Sequence, residues 1–336
     1  MQKKIILLTI LCCGILLSSA LSVSFAAVKD DIVKKVLIVL AHPDDETMFN
    51  LSYFTERGWN MAVVLVTCGE NGSVVQGAKS DYNPKIDNDV LIEAEPGDKA
   101  WLTYPQTGQK ISVIASHPQL AAERRKEFIQ SLACYGVTNI FLLSTPADFS
   151  YDDNWDDGIK NWDQERLKKQ LTAIARQVAP DIIITLNPDE TWGHKQHSGL
   201  GRIVAELYNG GALRANNSLQ QPQFYGIRES GWYVQSKLPQ AGDIKFDQAL
   251  FSSTLGMSYH DYWQNATDRY ISQSSHPIWM QARVAAGIVP GYHNEMIIRR
   301  LDTQNQIALD KLLQMDAPSV EKINRLFNTP VVQEYR

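Results

Sequence analysis

The sequence predicts an α/β fold organised around a mostly parallel sheet, and three observations lead there. Short, continuously apolar runs recur at Lys35 to Ala41 (KVLIVLA), Asn60 to Cys68 (NMAVVLVTC), Thr138 to Leu143 (TNIFLL) and Asp181 to Leu186 (DIIITL). Such runs are expected of strands covered on both faces. Segments with helical spacing separate them, as right-handed crossovers between parallel strands require. The composition is that of an ordinary globular chain, with 44% hydrophobic and 21% charged residues among 336.

The elements follow in order. Lys3 and Lys4, the apolar stretch Ile5 to Leu17 and the small residues up to Ala26 read as an export signal over residues 1–26, with cleavage after Ala26 or after Ala20. The apolar stretch is shorter than the ~20 residues a bilayer span needs, so the mature chain is expected to be exported, periplasmic or secreted, without a stable membrane span; an uncleaved anchor is the alternative. Residues 27–336 then form a single domain, with a core over about 35–230 and a C-terminal elaboration over 231–336. After the first strand, Asp45 to Arg57 has helical spacing stopped by Gly58. Residues 69–116 are rich in Gly, Asn, Asp and Pro and read as one long binding loop or lid. Helices are expected at Pro118 to Tyr135, Asp163 to Val178 and His197 to Tyr208, and a fifth strand at Gln223 to Arg228. Strands alternating with helices in this way describe a Rossmann-like three-layer fold whose functional groups gather at the carboxyl ends of the strands.

Composition also excludes classes. A net charge of −5 argues against a nucleic-acid partner. With the signal removed, Cys68 and Cys134 remain, and they read as two free thiols, with a disulfide between them as the alternative that export permits. No nucleophile elbow or Walker A sequence occurs, and Gly199-Leu200-Gly201 lacks the third glycine of a dinucleotide fingerprint. The acidic stretch Asp148 to Asp163 does not fit a calcium loop and reads as a solvated loop near the mouth of the site.

Two short motifs carry chemistry. Ala41-His42-Pro43-Asp44-Asp45-Glu46 begins where the first strand ends, and His and Asp are good ligands for a borderline metal. Adjacent Asp44 and Asp45 leave the backbone in different directions, so one can bind a metal while the other addresses a water. The competing reading is a helix cap, with Asp44 or Asp45 accepting from free N–H groups. The second motif, Gly193-His194-Lys195-Gln196-His197, follows the fourth strand, and its two histidines are one helical turn apart. Alone it would be two surface histidines; two His/Asp clusters on one rim of one sheet point to a metal site. His117, His260, His276 and His293 read as ordinary surface histidines.

The A-H-P-D-D-E motif paired with a late H-x-x-H resembles the PIG-L/LmbE-like zinc-dependent de-N-acetylase family, over roughly residues 35–210. The resemblance implies that His42, Asp45 and His197 hold one Zn2+, with Fe2+ also compatible with such ligands. It further implies that Asp44 is the general base and that His194 polarises or protonates. Arg124 would touch the carrier or hydroxyls of the substrate, with a helix-surface pair to Glu127 as the alternative, and Trp192 would pack on a sugar face or serve as a core or rim aromatic. The family usually shows H-x-D-H, whereas Gln196 stands in place of that Asp here, and a neutral amide cannot support an imidazolium at His194 as a carboxylate would. The resulting expectation is an exported metal-dependent hydrolase that removes acetyl from an N-acetylglucosamine-type conjugate by attack of a zinc-activated water. A saccharide-binding protein of the same fold with weak catalysis is the alternative.

Overall fold

A computed structural model describes residues 33–70, 91–94, 99–104, 109–114, 117–153, 158–189, 195–215, 220–228, 243–267, 269–270, 295–302 and 331–335. Residues 33–336 cluster as one compact unit, and the expected export signal lies outside the described residues. The first half contains β1 (Lys35–Leu40), α1 (Ser52–Glu56), β2 (Asn60–Leu65), β3 (Leu91–Ala94), β4 (Lys99–Tyr104), β5 (Gln109–Ile114), α2 (His117–Cys134) and β6 (Asn139–Leu142). Then come α3 (Gln164–Val178), β7 (Ile182–Leu186), α4 (Lys195–Asn209) and β8 (Gln223–Ile227). The remainder holds β9 (Asp243–Asp247), β10 (Phe251–Ser252), β11 (Met257–Ser258), α5 (Tyr259–Thr267), β12 (Glu295–Arg300) and β13 (Val331–Glu334).

Eight strands form the main sheet in the order β13-β6-β2-β1-β7-β8-β12-β9. All pairings from β13 through β8 are parallel, and only β12 runs against its neighbours. The apolar runs are continuous because alternate residues serve opposite faces. Val36, Ile38 and Leu40 pack with Phe128 and Leu132 of α2 and Trp263 and Ala266 of α5. Leu37 and Val39 pack with Leu167, Leu171 and Ile174 of α3 and with Leu200, Ile203 and Val204 of α4. The expected three layers result.

The topology also fixes where ligands bind. From central β1 the chain goes to β2 and β6 on one side, then returns to β7 on the other side of β1. The strand order therefore reverses between β1 and β7, and side chains leaving the carboxyl ends of those two strands share the crevice where α/β sheets bind ligands.

Three expectations are corrected. The helix expected at Asp45 to Arg57 is instead a 3-10 turn over Asp45–Met48 and a separate α1, because Phe49 between them is extended. Within the expected loop at 69–116, β3, β4 and β5 form a three-stranded antiparallel meander. Their sequences (LIEA, KAWLTY, QKISVI) are short, show no clean alternation and lie among turn-forming residues. The C-terminal segment contributes β9, β12 and β13 to the main sheet. Asp163, by contrast, caps α3 by accepting from the Arg166 N–H at 3.0 Å, and α3 and α4 occupy the expected stretches.

Candidate metal centre

The turn after β1 is braced by its own acids. Asp45 Oδ2 accepts the backbone N–H groups of Ala41 (2.9 Å) and His42 (2.8 Å), folding the chain back on the strand end. Asp44 adopts a left-handed conformation (φ 99°), and its N–H donates to Glu46 Oε2 at 3.1 Å. Tyr270 donates to the other Glu46 oxygen, so this buried carboxyl is held on both sides. The helix-cap reading of the motif is thereby overturned: Asp44 makes no side-chain cap bond, and Asp45 reaches backwards rather than into the turn that follows.

The second motif arrives on α4. Its close seat against the end of β7 depends on Gly201, where a Cβ would lie 2.3 Å from the Leu186 carbonyl oxygen. This contact sets His197, in the first turn of α4, across the crevice from His42. His197 Nε2 is 3.0 Å from Asp45 Oδ1 and 3.0 Å from His42 Nδ1, and His42 Nδ1 is 3.5 Å from Asp45 Oδ1. Ligands at about 2.0–2.1 Å from a tetrahedral metal stand about 3.3 Å apart, so the three atoms already form one face of such a tetrahedron. Among the described residues they are the one set of three His, Cys, Asp or Glu side chains gathered in this way, and all three are buried. The donor set fits a divalent ion.

Charge in the site reflects this proximity. Burial opposes ionisation of Asp45, yet His197 and His42 outweigh it and hold the carboxyl well below the usual range. Burial likewise opposes a charge on His42, but Asp153 and Asp45 raise its pKa well above the ordinary value. Burial pushes Asp44 the other way, up to about 6, against the pull of Arg124.

Arg124 is buried, not on the helix surface. Its Nη2 donates to Asp44 Oδ2 (3.0 Å) and to the Pro43 carbonyl (2.6 Å), and its Nη1 donates to the Gly69 carbonyl (2.8 Å). Gly69 has φ +68°, and a Cβ there would lie 2.4 Å from Arg124 Nη1. Glycine is therefore required both for the backbone and for the guanidinium to pass.

The structure thus brings together His42, Asp45 and His197, with Asp44 beside them and Arg124 behind Asp44. His194 and Trp192 lie outside the described residues. The acidic stretch, expected from sequence to be a solvated loop, is not uniformly solvated: Asp153 is 1% exposed, with Oδ1 3.3 Å from His42 Nε2. Nothing local distinguishes Asp153 from the neighbouring aspartates. Gln196 is completely buried, and its Oε1 lies 2.6 Å from the same His42 nitrogen. Cys68 and Cys134 are free thiols.

Comparison with known proteins decides the family. The model of the PIG-L family, described as GlcNAc-PI de-N-acetylase, matches residues 37–208, just over half of the chain and both motifs with it. The chain belongs to the PIG-L family. Its relatives include a "1D-myo-inositol 2-acetamido-2-deoxy-alpha-D-glucopyranoside deacetylase" of Streptomyces avermitilis, 25% identical over 212 residues, covering 60% of this chain and 59% of that protein. A protein of the same name from Corynebacterium urealyticum is 27% identical over 178 residues, covering 52% and 47%. The match therefore spans roughly half to three-fifths of the relatives' own length. Among solved structures, N,N'-diacetylchitobiose deacetylase from Pyrococcus horikoshii matches with a TM-score of 0.46 and 18% identity, over 79% of this chain and 83% of that one. The 4-carboxy-2-hydroxymuconate hydratase GalB matches with 0.48 and 13%, over 82% and 99%. Two enzymes of unrelated chemistry thus lie at similar distances, and neither bears on the reaction of this PIG-L protein.

Proposed function

We propose that this chain is a zinc-dependent deacetylase acting on an N-acetylated amino sugar of the N-acetylglucosamine type, exported by residues 1–26. The observation that carries the reading is the tetrahedral-face spacing of His42 Nδ1, Asp45 Oδ1 and His197 Nε2, with a second carboxylate, Asp44, next in the chain. The family description and the names of the relatives supply the amide and the sugar.

A divalent ion held by those three residues supplies a Lewis acid and brings the pKa of a bound water to about 7. The protein must then provide a proton acceptor and hold it still. Asp44 fills that role: its side chain is 24% exposed, whereas that of Asp45 is 3% exposed, so substrate and water meet Asp44. Arg124 fixes Asp44 Oδ2 from behind, and Glu46 fixes the Asp44 backbone from below. Orientation of this kind lets a carboxylate take a proton from the attacking water and return it to the departing amine. His194, three positions before His197 in the sequence, is assigned by the resemblance to polarise the acetamide carbonyl.

The test is release of acetate, with matching free amine, from N-acetylglucosamine conjugates by the zinc-loaded protein. Release is expected to stop with a chelator and to return with zinc. A zinc-loaded protein that frees no acetate across such conjugates defeats the reading.

A further inference from the structure

His42 has two ring nitrogens and must offer the correct one. Nδ1 faces Asp45 and His197; Nε2 faces away from them, toward Gln196 and Asp153. A histidine ligand needs a lone pair on the nitrogen that faces the ion, so the proton must sit on the other. Nothing in the ring itself selects that tautomer.

The surroundings of Gln196 do. Its Nε2 donates to the Asp152 carbonyl at 2.7 Å and lies 3.3 Å from the Gly158 carbonyl. Both partners are backbone oxygens, which only accept, so the amide cannot be reversed without setting its own oxygen against them. Its Oε1 must therefore face His42 Nε2 at 2.6 Å, and because an amide oxygen cannot donate, His42 Nε2 must carry the hydrogen. The negative Asp153 carboxylate, 3.3 Å from the same nitrogen, also favours a proton there.

We propose that Gln196 is a positioning residue for the metal centre: clamped by the Asp152 and Gly158 carbonyls, it fixes His42 in the Nε2–H form and so directs the Nδ1 lone pair at the ion. This rests on His42, Asp45 and His197 being the metal ligands. It also gives the departure from H-x-D-H a purpose of its own. An aspartate at 196 is one methylene shorter and has no N–H, so it could not satisfy the two carbonyls. In this chain the residue beside His197 is spent on orienting the other histidine.

Two measurements on the full-length protein test this, neither of which depends on turnover. The first is zinc affinity by competition with a chromophoric chelator. Gln196→Leu, similar in volume but with no polar atoms, should bind zinc about 10–100-fold more weakly, with far-UV circular dichroism unchanged. Lys195→Gln, on the same turn, should bind as the parent does. A Gln196→Leu protein that folds and holds zinc within about twofold of the parent overturns the proposal. The second needs no variant: NMR of the parent chain carrying isotope-labelled histidine and loaded with cadmium. The metal is expected on His42 Nδ1 with a slowly exchanging proton on Nε2; a metal-bound Nε2 or an unprotonated distal nitrogen overturns the proposal even if the variant fails to fold. A parent chain that binds zinc tightly but frees no acetate refutes the deacetylase reading and leaves the role of Gln196 standing.

Discussion

The two sides of the metal centre are held in place differently. On the β1 side, Ala41 to Glu46 braces itself: Asp45 bonds to backbone only three and four residues behind it, and Glu46 bonds to Asp44. The partners that reach this motif from elsewhere are distant in sequence. His42 is held by Gln196, 154 positions away, and Asp44 by Arg124, 80 positions away. The contrast teaches that a compact motif can specify its own geometry, whereas its aim and orientation depend on partners that only the finished fold brings near.

If that contrast is right, substitutions should sort by side. The largest effect is expected from Asp45→Ala, which removes both a ligand and the acceptor for two buried N–H groups. Metal content by elemental analysis should fall to background, and unfolding in urea should show a loss of about 1–3 kcal/mol for each orphaned donor. Retained stoichiometric zinc would break the assignment. Asp44→Asn comes next. It should keep its zinc and lose about 10²–10⁴-fold in kcat, measured as acetate release; a near-normal rate would show that another group takes the proton. Gly69→Ala probes the distant side by forcing the Arg124 guanidinium out of its channel. An intermediate loss of kcat, about tenfold or more, is expected without loss of metal, and an unchanged rate would show that Arg124 does not hold the base. The remaining prediction concerns pH and stability. Burial pushes the Glu46 carboxyl up to about 8, so the folded chain keeps a proton that the unfolded chain gives up near its ordinary pKa of about 4.3. The native state then binds more protons across that window, and stability must fall as pH rises through it. Urea unfolding of the metal-free protein between about pH 5 and 8 should show this fall, and Glu46→Gln should flatten it; an identical slope in both proteins would place the titration elsewhere.

What could be read from the sequence follows the same division. The parallel core was legible because β1, β2, β6 and β7 are buried on both faces, which writes an unbroken apolar run. His42, Asp45 and His197 were legible as a group through the resemblance, and the fold brings their polar atoms within 3.5 Å of one another. The split of the expected first helix was not, since Phe49 interrupts a pattern that otherwise keeps helical spacing. The meander β3 to β5 was hidden by composition, its short strands set among turn formers and lacking a clean alternation. Asp153 and the true partner of Gln196 could not be inferred at all: Asp153 looks like its acidic neighbours, and the proximity of Gln196 to His42 exists only because the strand order reverses between β1 and β7.

The outermost strand, β13, has a practical consequence. It presents Val331 and Val332 to solvent yet pairs along β6, anchored by Arg125 to Glu334 at 2.7 Å and by the Gln170 amide to the Tyr335 carbonyl at 2.9 Å. These few residues act as a selvedge on the sheet. Proteolytic trimming that strips them would bare the flank of β6, whose Ile140, Phe141 and Leu142 are fully enclosed, and offer other molecules a ready template for edge-to-edge association.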